Sequence, residues 1–322
     1  ENLAARLVRR LVARPPDARP EAWLTYHVYH KAPDWIGPAV ADALGIPYII
    51  TEASSAPKRA DGPWDIGYRG ANAAIARADA ILTINSDDWD CLQPIATQPV
   101  LHRRMFPFVD AAPFAAATAR RGNLRDALLR DTGWSADTLV LLAVGMMRAG
   151  AKQSSYEQLA AALPQLSGDN WRLLVAGDGP QRTEVEAMLE AAAPGRVTLL
   201  GALPPDRLAE IYALADILVW PAVDEAFGIA LLEAQATGLP VVAGKARGVP
   251  DIVGSGVTGL LPPADDPGAF AKAVQRLMED RELRDRMGTA ATRRVRAKFD
   301  LPVAAAMLDS TLNTVSITRP AP

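Results

Sequence analysis

The segment WPAVDEAFGIALLEAQATGLPVVAGKARGVPDI, residues 220–252, combines the signals of two strands with those of the helix that connects them. Short apolar runs lie at 217–220 and 240–243, and such runs predict strands that are buried on both faces. The stretch 228–237 between them has the length and composition of a helix. A strand, a helix and a second strand in this order predict a parallel pair joined by a crossover helix.

The same alternation continues along most of the chain. Further strands are predicted at 23–25, 48–51, 80–84, 100–106, 139–144, 172–176 and 196–200. Further helices are predicted at 36–44, 65–78, 154–166, 181–191 and 206–213. This rhythm predicts an α/β protein with two doubly wound domains. We place the first domain at 1–115, the second at 116–300, and a C-terminal helix and tail at 301–322, the helix crossing back onto the first domain.

The composition is that of a globular protein, with 49% hydrophobic and 22% charged residues and a net charge of −3. This charge excludes the basic surface typical of nucleic-acid-binding proteins. The single cysteine, Cys91, allows no disulfide within the chain, and with only three histidines we predict no metal site. No apolar run reaches the roughly 18 residues of a membrane span. We therefore predict a cytoplasmic protein without a metal and without a nucleic-acid partner.

Two glutamates in the opening segment, Glu225 and Glu233, are candidates for sugar binding. Glu225 follows a predicted strand, and ligands bind at the carboxyl ends of strands in open α/β sheets. The helix that begins near Gly228 offers free backbone N–H groups and a positive dipole end, which suit a phosphate. Carboxylates accept hydrogen bonds from vicinal hydroxyls. The alternative is structural, with Glu225 as a favourable helix N-terminal charge and Glu233 as a solvated helix residue.

The segment resembles the E-x7-E signature of the family 4 retaining glycosyltransferases. The residues that match the signature and its continuation are Glu225, Phe227, Gly228, Glu233, Ala234, Gly238, 240–242 and 248–253. Residues 174–180, 199–214 and 259–266 resemble further stretches of that family, and 108–114 resembles its interdomain linker. The resemblance covers nearly all of 120–300 and, more loosely, 20–110.

This resemblance implies the GT-B fold, in which a donor lies between two Rossmann-like domains, with the N-terminal domain incomplete here. It also implies that a sugar passes from a nucleotide-diphosphate sugar to an acceptor hydroxyl with retention of configuration, without a metal or cofactor. Glu225 corresponds to the residue that touches the donor sugar, and Glu233 to the one that holds the ribose. The remaining donor-binding positions are contributed mainly by backbone: Ala226, Phe227, Gly228 and Ile229 for sugar and phosphate, and Gly201, Ala202 and Leu203 near the base.

The family binds the donor phosphates with an arginine and a lysine after the first strand of the C-terminal domain. Arg148 and Lys152 occupy about this place, although their spacing departs from the commoner form and Met146 stands where an arginine often stands. A guanidinium can donate two parallel hydrogen bonds to phosphate oxygens, whereas an ammonium supplies a point charge. The alternative is a loop with two solvated cations.

The resemblance implies a histidine of the N-terminal domain near the donor sugar, and His27 and His30 are both candidates. The alternative for each is a packing or surface role. The loop at 51–54, followed by Lys58 and Arg59, either meets the acceptor, an unidentified glycan, lipid or small molecule, or is a solvated loop. The family's glycine-rich loop has no counterpart. Since the chain begins at Glu1, we expect that loop upstream, and we expect this chain to lack part of the catalytic machinery.

Other interpretations stay open. Asp88-Trp89-Asp90 has the D-x-D form of metal-dependent transferases, although a helix start capped by Ser86 explains it as well. Residues 1–14 predict a basic amphipathic helix, which either contacts the inner face of a membrane or packs on a domain. Alternative functions are a nucleotide-sugar 2-epimerase-like isomerase and a non-catalytic nucleotide-sugar-binding remnant.

Overall fold

The computed structural model of the chain describes residues 3–84, 88–96 and 99–318. The chain divides into two compact units, of which unit 1 is Glu1–Phe106 with Ala304–Pro322 and unit 2 is Pro107–Val303. Each unit contains one sheet in which all neighbouring strands are parallel. The predicted fold class, two Rossmann-like α/β domains, is confirmed.

Unit 1 contains a four-stranded sheet in the order β1-β2-β3-β4. Its strands are β1 (Trp23–Val28), β2 (Tyr48–Ala53), β3 (Ala80–Thr83) and β4 (Leu101–Arg104). Its helices are α1 (Leu3–Val12), α2 (Gly37–Leu44), α3 (Asp65–Arg77), α4 (Asp88–Leu92) and most of the last helix, α14 (Leu301–Thr318). Short 3₁₀ helices lie at Pro16–Ala18 and Pro57–Arg59.

Both faces of this sheet are buried. Ile50 of β2 packs with Ile75 of α3 in one apolar cluster. The preceding residue, Ile49, packs with Ala304 and Val315 of α14 in another. Successive residues of a strand point to opposite faces, so β2 needs apolar residues at consecutive positions. The C-terminal helix therefore completes the core of unit 1.

Unit 2 contains a six-stranded sheet in the order β10-β9-β8-β5-β6-β7. Its strands are β5 (Leu139–Val144), β6 (Trp171–Ala176), β7 (Val197–Gly201), β8 (Ile217–Trp220), β9 (Val241–Ala243) and β10 (Gly259–Leu260). Its helices are α5 (Ala111–Ala119), α6 (Arg121–Thr132), α7 (Ala151–Ala162), α8 (Arg182–Ala192), α9 (Pro205–Leu214), α10 (Ile229–Ala236), α11 (Val249–Ile252), α12 (Pro267–Glu279) and α13 (Arg281–Lys298). A 3₁₀ helix, Leu163–Gln165, follows α7.

The strand order of unit 2 reverses at β5, which lies between β8 and β6. At such a switch point the loops that leave two neighbouring strands diverge and leave a crevice at the carboxyl edge of the sheet. The two loops concerned are 145–150, after β5, and 221–228, after β8. The first of these loops contains Arg148 and the second contains Glu225, while Lys152 follows the first loop in the opening turn of α7.

All nine predicted strands are present, with ends that differ by no more than three residues from those predicted. The segment 108–114, predicted as a linker, is partly helical, because α5 begins at Ala111. Its start is capped by Asp110, whose carboxylate accepts a hydrogen bond from the amide of Ala112 at 3.0 Å. The predicted domain limit after residue 115 therefore falls inside a helix, whereas the two units divide after Phe106. Within the described part of the chain, no helix is long and apolar enough to cross a membrane.

Candidate active site in unit 2

A cavity of about 630 Å³ opens at the carboxyl edge of the unit 2 sheet. The loops after β5, β6, β7 and β8 and the first turns of α10 surround it. Nine of the residues predicted to bind the donor line this one cavity: Arg148, Lys152, Ala202, Leu203, Glu225, Phe227, Gly228, Ile229 and Glu233. Ala226 lies between two of these residues, and Gly201 ends β7 directly before Ala202. Met146, half-exposed, lines the cavity as well.

Lys152 and Glu225 form an ion pair in this cavity. Lys152 lies in the first turn of α7, and its Nζ is 2.5 Å from Oε2 of Glu225. Their side chains are only 20% and 16% exposed, so solvent screens the pair less than it would on an open surface. Trp220, at the end of β8, places its Nε1 3.4 Å from the same oxygen and its ring 5.4 Å from Nζ of Lys152. The sequence does not single out Trp220, because a tryptophan that ends an apolar run is typical of a buried strand.

Arg148 is exposed at the cavity. Hydrogen bonds to the segment after β6 hold the backbone of its loop in place. The neighbouring Met147 is buried; its amide donates to the carbonyl of Asp178 and its carbonyl accepts from the amide of Gln181, both at 2.9 Å. Gly177 has no Cβ, which allows the loop after β6 to pack closely against the loop after β5. Its φ is +148°, and a Cβ there would lie 1.9 Å from the carbonyl oxygen of Gly145. The turn at 177–180 thus holds the loop at 145–150, which carries Arg148, against the carboxyl end of β6.

The start of α10 supplies the helix N-terminus that the sequence predicts. Gly228 is its N-cap residue in the left-handed conformation, with φ +68°, and a Cβ there would lie 2.8 Å from Cδ1 of Leu231. Ala222 and Asp224 in the preceding loop also have positive φ, which is costly for residues other than glycine. The amide of Val223 donates to Oγ of Ser155 on α7 at 3.0 Å, which anchors this strained loop.

Glu233 is half-buried and faces a tyrosine. The hydroxyl of Tyr212, which is fully buried in α9, donates to Oε2 of Glu233 at 2.8 Å. Burial raises the pKa of Glu233, and the hydrogen bond from Tyr212 partly opposes that rise. Burial and the nearby carboxylate raise the pKa of Tyr212 well above its ordinary value, so this tyrosine stays a neutral donor. A solvated role for Glu233 is therefore wrong; its carboxylate is held in one orientation.

A second cavity, of about 730 Å³, lies at the opposite, amino edge of the same sheet. Arg121 and Arg125 line it, but their guanidinium groups are occupied. Arg121 binds Asp216 at 2.8 Å, and Arg125 binds the same carboxylate at 3.2 Å and the carbonyl of Leu214 at 3.0 Å. These contacts satisfy the carbonyl of the last residue of α9 and the carboxylate of Asp216 that follows it, so the two arginines have a structural role.

In unit 1, His27 pairs with the carboxylate of Glu52, at the carboxyl ends of β1 and β2. His27 and Glu52 both have positive φ, +64° and +60°, and Nδ1 of His27 is 3.0 Å from Oε1 of Glu52. A hydrogen bond with Glu52, assisted by burial, raises the pKa of Tyr26 to about 12. Strained backbone of this kind is concentrated at functional sites in proteins.

His30 lies three residues further on, in a tight turn. The amide of Ala32 donates to the carbonyl of Tyr29 at 2.9 Å, which places His30 at the tip. Its ring packs edge-on against Trp64 at 5.7 Å between centroids. Burial lowers the pKa of His30, and the charges of Arg59 and Lys31 lower it further. His27 and His30 therefore have different surroundings within unit 1.

The D-x-D motif has a packing role in the structure. Asp88 and Asp90 lie in the first turn of α4, and Trp89 stacks on His102 at 3.7 Å with an interplanar angle of 6°. Among residues 3–84, 88–96 and 99–318, no three His, Cys, Asp or Glu side chains form a cluster that could hold a metal ion. The predicted cap, Ser86, lies outside the described residues.

Comparison with known proteins assigns the family. The family model for glycosyl transferases group 1 matches residues 125–294, which is more than half of the chain. The chain belongs to this family, as the E-x7-E segment predicted.

Among the relatives, an alpha-D-kanosaminyltransferase from Streptomyces kanamyceticus is 31% identical over 234 residues, which is 72% of this chain and 59% of the relative. A D-inositol 3-phosphate glycosyltransferase from Thermobifida fusca is 32% identical over 234 residues, 69% of this chain and 52% of the relative. The matched region thus spans between half and three-fifths of these relatives.

Solved structures share the fold. Anabaena HepE, in complex with UDP and glucose, superposes with a TM-score of 0.72 at 18% identity, over 97% of this chain and 81% of HepE. A sucrose-phosphate synthase from Thermosynechococcus elongatus superposes with a TM-score of 0.72 at 23% identity, over 98% of this chain and 78% of the synthase. Both likenesses support the GT-B fold class, with two Rossmann-like domains.

Proposed function

We propose that this protein transfers a sugar from a nucleotide-diphosphate sugar to an acceptor hydroxyl, with retention of anomeric configuration and without a metal ion. The proposal is carried by one observation: two cations, a helix N-terminus and two carboxylates surround a single cavity in unit 2. A diphosphate needs positive partners, and the sugars on its two sides need hydrogen-bond acceptors. UDP is the first nucleotide to test, because HepE, which shares the fold, was solved with UDP and glucose.

In this mechanism the chain stabilises the leaving group. Arg148, Lys152 and the N-terminus of α10 near Gly228 neutralise the charge that develops on the diphosphate as the bond from C1 of the sugar to the phosphate oxygen breaks. The acceptor oxygen forms a new bond to C1 on the face from which the diphosphate leaves. The acceptor proton passes to a phosphate oxygen. No side chain acts as a nucleophile in this scheme.

The carboxylates hold the two sugars of the donor. Glu225 is assigned to the transferred sugar, and the Lys152 ammonium that pairs with it is shared with the phosphates. Glu233, oriented by Tyr212, is assigned to the ribose. The backbone at 226–229 supplies further donors to the sugar and phosphate, and residues 201–203 are assigned to the base.

Unit 1 is assigned to the acceptor, and one of its histidines to contact with the donor sugar. His27 is the stronger candidate for contact with the sugar, because Glu52 fixes its Nδ1 and leaves Nε2 free to turn toward a ligand. A cytoplasmic location stays a prediction, as does a membrane contact through the exposed arginines Arg6, Arg9 and Arg10 of α1.

The proposal is tested with Glu225→Ala and Lys152→Ala in the full chain. With a UDP-sugar and an acceptor panel, each substitution is expected to lower kcat/KM at least about 100-fold, equivalent to about 2.7 kcal/mol of transition-state stabilisation. Glu186→Ala and Lys272→Ala, at exposed positions on α8 and α12, are matched controls and should retain the wild-type rate.

Analysis of the products separates the other functions. An isomerase would release a nucleotide-linked epimer without consuming acceptor, and a binding remnant would bind UDP without forming product. Either result, or wild-type rates in both site variants, would contradict the proposal.

A further inference from the structure

The indole of Trp220 lies against the ion pair of Lys152 and Glu225 in the unit 2 cavity. Its Nε1 is 3.4 Å from Oε2 of Glu225, and its ring centroid is 5.4 Å from Nζ of Lys152. The contact with the ammonium is within the range of a cation–π interaction, and the hydrogen bond to the carboxylate is a long one. Trp220 therefore contacts both charged groups of the pair.

The protein binds only one of the two carboxylate oxygens of Glu225. Among the described residues, the side chains of Lys152 and Trp220 both donate to Oε2, whereas Oε1 accepts no hydrogen bond. The ammonium of Lys152, at 2.5 Å, is the stronger donor of the two. Oε1 is thus the oxygen that remains for a hydroxyl of a ligand.

A diphosphate competes with Glu225 for the ammonium of Lys152. In the proposed function Lys152 neutralises phosphate oxygens, and its contact with Oε2 weakens as it turns toward them. Glu225 is only 16% exposed, and a shielded carboxylate that loses its partner is costly. The neighbouring donor to the same oxygen is the indole N–H of Trp220.

Packing holds this indole in one orientation, so it cannot follow Lys152. Trp220 is 1% exposed, and the ring of Tyr156 packs edge-on against it at 5.0 Å between centroids. A Cβ at Gly145 would lie 2.6 Å from Cη2 of Trp220, which shows how closely the loop after β5 packs on the ring. A buried indole N–H usually has a hydrogen-bond partner, and among the described residues this partner is Glu225. The fixed ring therefore restricts where the carboxylate lies.

We propose that Trp220 is a positioning residue of the donor-sugar site. Its N–H holds Oε2 of Glu225 when Lys152 turns to the diphosphate, so that Oε1 stays in place to accept a hydrogen bond from a hydroxyl of the transferred sugar. Trp220 acts through Glu225 and not on the sugar itself. The contacts belong to unit 2 alone, whereas their role in sugar binding rests on the proposed function.

Indole NMR tests the hydrogen bond without a ligand, because each of the seven tryptophans gives one indole N–H signal. Trp220→Phe assigns the Trp220 signal by its loss. Lys152→Met removes the competing donor and is expected to move the Trp220 proton downfield, because its hydrogen bond to Oε2 shortens. Glu225→Gln removes the charge of the acceptor and is expected to move the same proton upfield. A proton that stays in place in both variants would overturn the proposal.

The proposed role also predicts a difference between two ligands, UDP and UDP-glucose, of which only the second carries a sugar for Glu225. In calorimetry, Trp220→Phe should weaken the binding of UDP-glucose at least about tenfold, equivalent to about 1.4 kcal/mol. It should weaken the binding of UDP less than about threefold. A residue that only supports the fold would affect both ligands alike, so equal losses would overturn the proposal.

Trp171→Phe is the matched control. Trp171 begins β6 at the amino edge of the same sheet and is 2% exposed, and its Nε1 has no hydrogen-bond partner within the described part of the chain. The same loss of ring volume there should leave both affinities unchanged, and a loss equal to that of Trp220→Phe would refute the proposal. If Glu225→Ala and Lys152→Ala abolish transfer while Trp220→Phe binds UDP-glucose normally, this inference alone fails. If they do not abolish transfer, the proposed function fails, and the indole signals still decide whether Trp220 holds Glu225.

Discussion

Replacing Tyr212 with phenylalanine removes one hydroxyl from the interior of unit 2 and leaves the ring in place. The ring packs edge-on against Phe114 at 6.1 Å, and phenylalanine preserves that contact. What is lost is the 2.8 Å hydrogen bond to Oε2 of Glu233. The substitution therefore isolates one interaction between α9 and the carboxylate assigned to the ribose.

The size of the effect depends on the charge of Glu233. A hydrogen bond to an ionised group contributes about 1.5–3 kcal/mol and one between neutral groups about 0.5–1.5 kcal/mol. Tyr212→Phe should thus lower the free energy of unfolding by about 2 kcal/mol at pH 8, where the carboxylate is charged. At pH 5, closer to the raised pKa of Glu233, a larger share of the carboxyl is protonated, and the loss should be smaller than at pH 8.

The sign of the pH dependence follows from the raised pKa of Glu233 in the folded protein. Between its ordinary value and the raised one, the folded state binds more protons than the unfolded state, so stability falls as the pH rises through that window. Removing the Tyr212 hydroxyl raises the folded pKa further, because it withdraws a donor from the charged form. The variant should therefore lose more stability than the wild type between pH 5 and pH 8.

Urea unfolding at pH 5 and pH 8 measures the loss in free energy of unfolding at each pH, and so also its dependence on pH. Tyr156→Phe is the matched control, because Tyr156 is equally buried and its hydroxyl donates at 2.7 Å to a neutral carbonyl, that of Gly145. Its loss should be about 1 kcal/mol at both pH values. Equal losses at both pH values for Tyr212→Phe, or the same pH dependence in Tyr156→Phe, would refute the assignment of a buried, tyrosine-held carboxylate.

Two further substitutions test the local structure of unit 2. Gly228→Ala places a Cβ on a residue with φ +68° and 2.8 Å from Leu231, so we expect a loss of about 1–2 kcal/mol in urea unfolding and weaker UDP binding by calorimetry; an unchanged affinity would argue against a role for this helix start. Arg125→Met removes one of the two guanidinium groups that bind Asp216, in a site where both side chains of this 3.2 Å pair are less than one-fifth exposed; because Arg121 keeps the carboxylate paired, the substitution should cost about 2 kcal/mol. The same change at Arg281, which is 86% exposed, should cost less than about 1 kcal/mol, and equal effects on Tm would contradict the structural role of Arg125.

Much of the site could be predicted because it follows local rules. Glu225, Gly228 and Glu233 lie within one strand–loop–helix unit, and the short apolar runs on each side fix where that unit begins and ends. Arg148 and Lys152 were predicted from the resemblance to the family, which has two phosphate-binding cations after the first strand of the C-terminal domain. The family match supports the same segment, since it extends over residues 125–294.

The partners of these residues could not be predicted. Lys152 pairs with Glu225 across 73 positions of sequence, and Tyr212 pairs with Glu233 across 21. Neither spacing carries a periodic signal, because each contact depends on which strands become neighbours. The helices α5, α6, α12 and α13 were not predicted. For α6 the reason is that none of its residues is buried, so its sequence shows no apolar stripe.

The sequence by itself determined that the chain alternates strands and helices, that acidic and cationic residues follow particular strands, and to which family that pattern belongs. The burial of one or both faces of a helix or strand produces a pattern of apolar residues over a few positions. This pattern can be recognised from the sequence alone. Only the tertiary structure decided that β5 lies beside β8, which brings Lys152 to Glu225, and that the hydroxyl of Tyr212 reaches Glu233. Such contacts join residues far apart in the chain, and their free energy is gained only once the whole unit has folded.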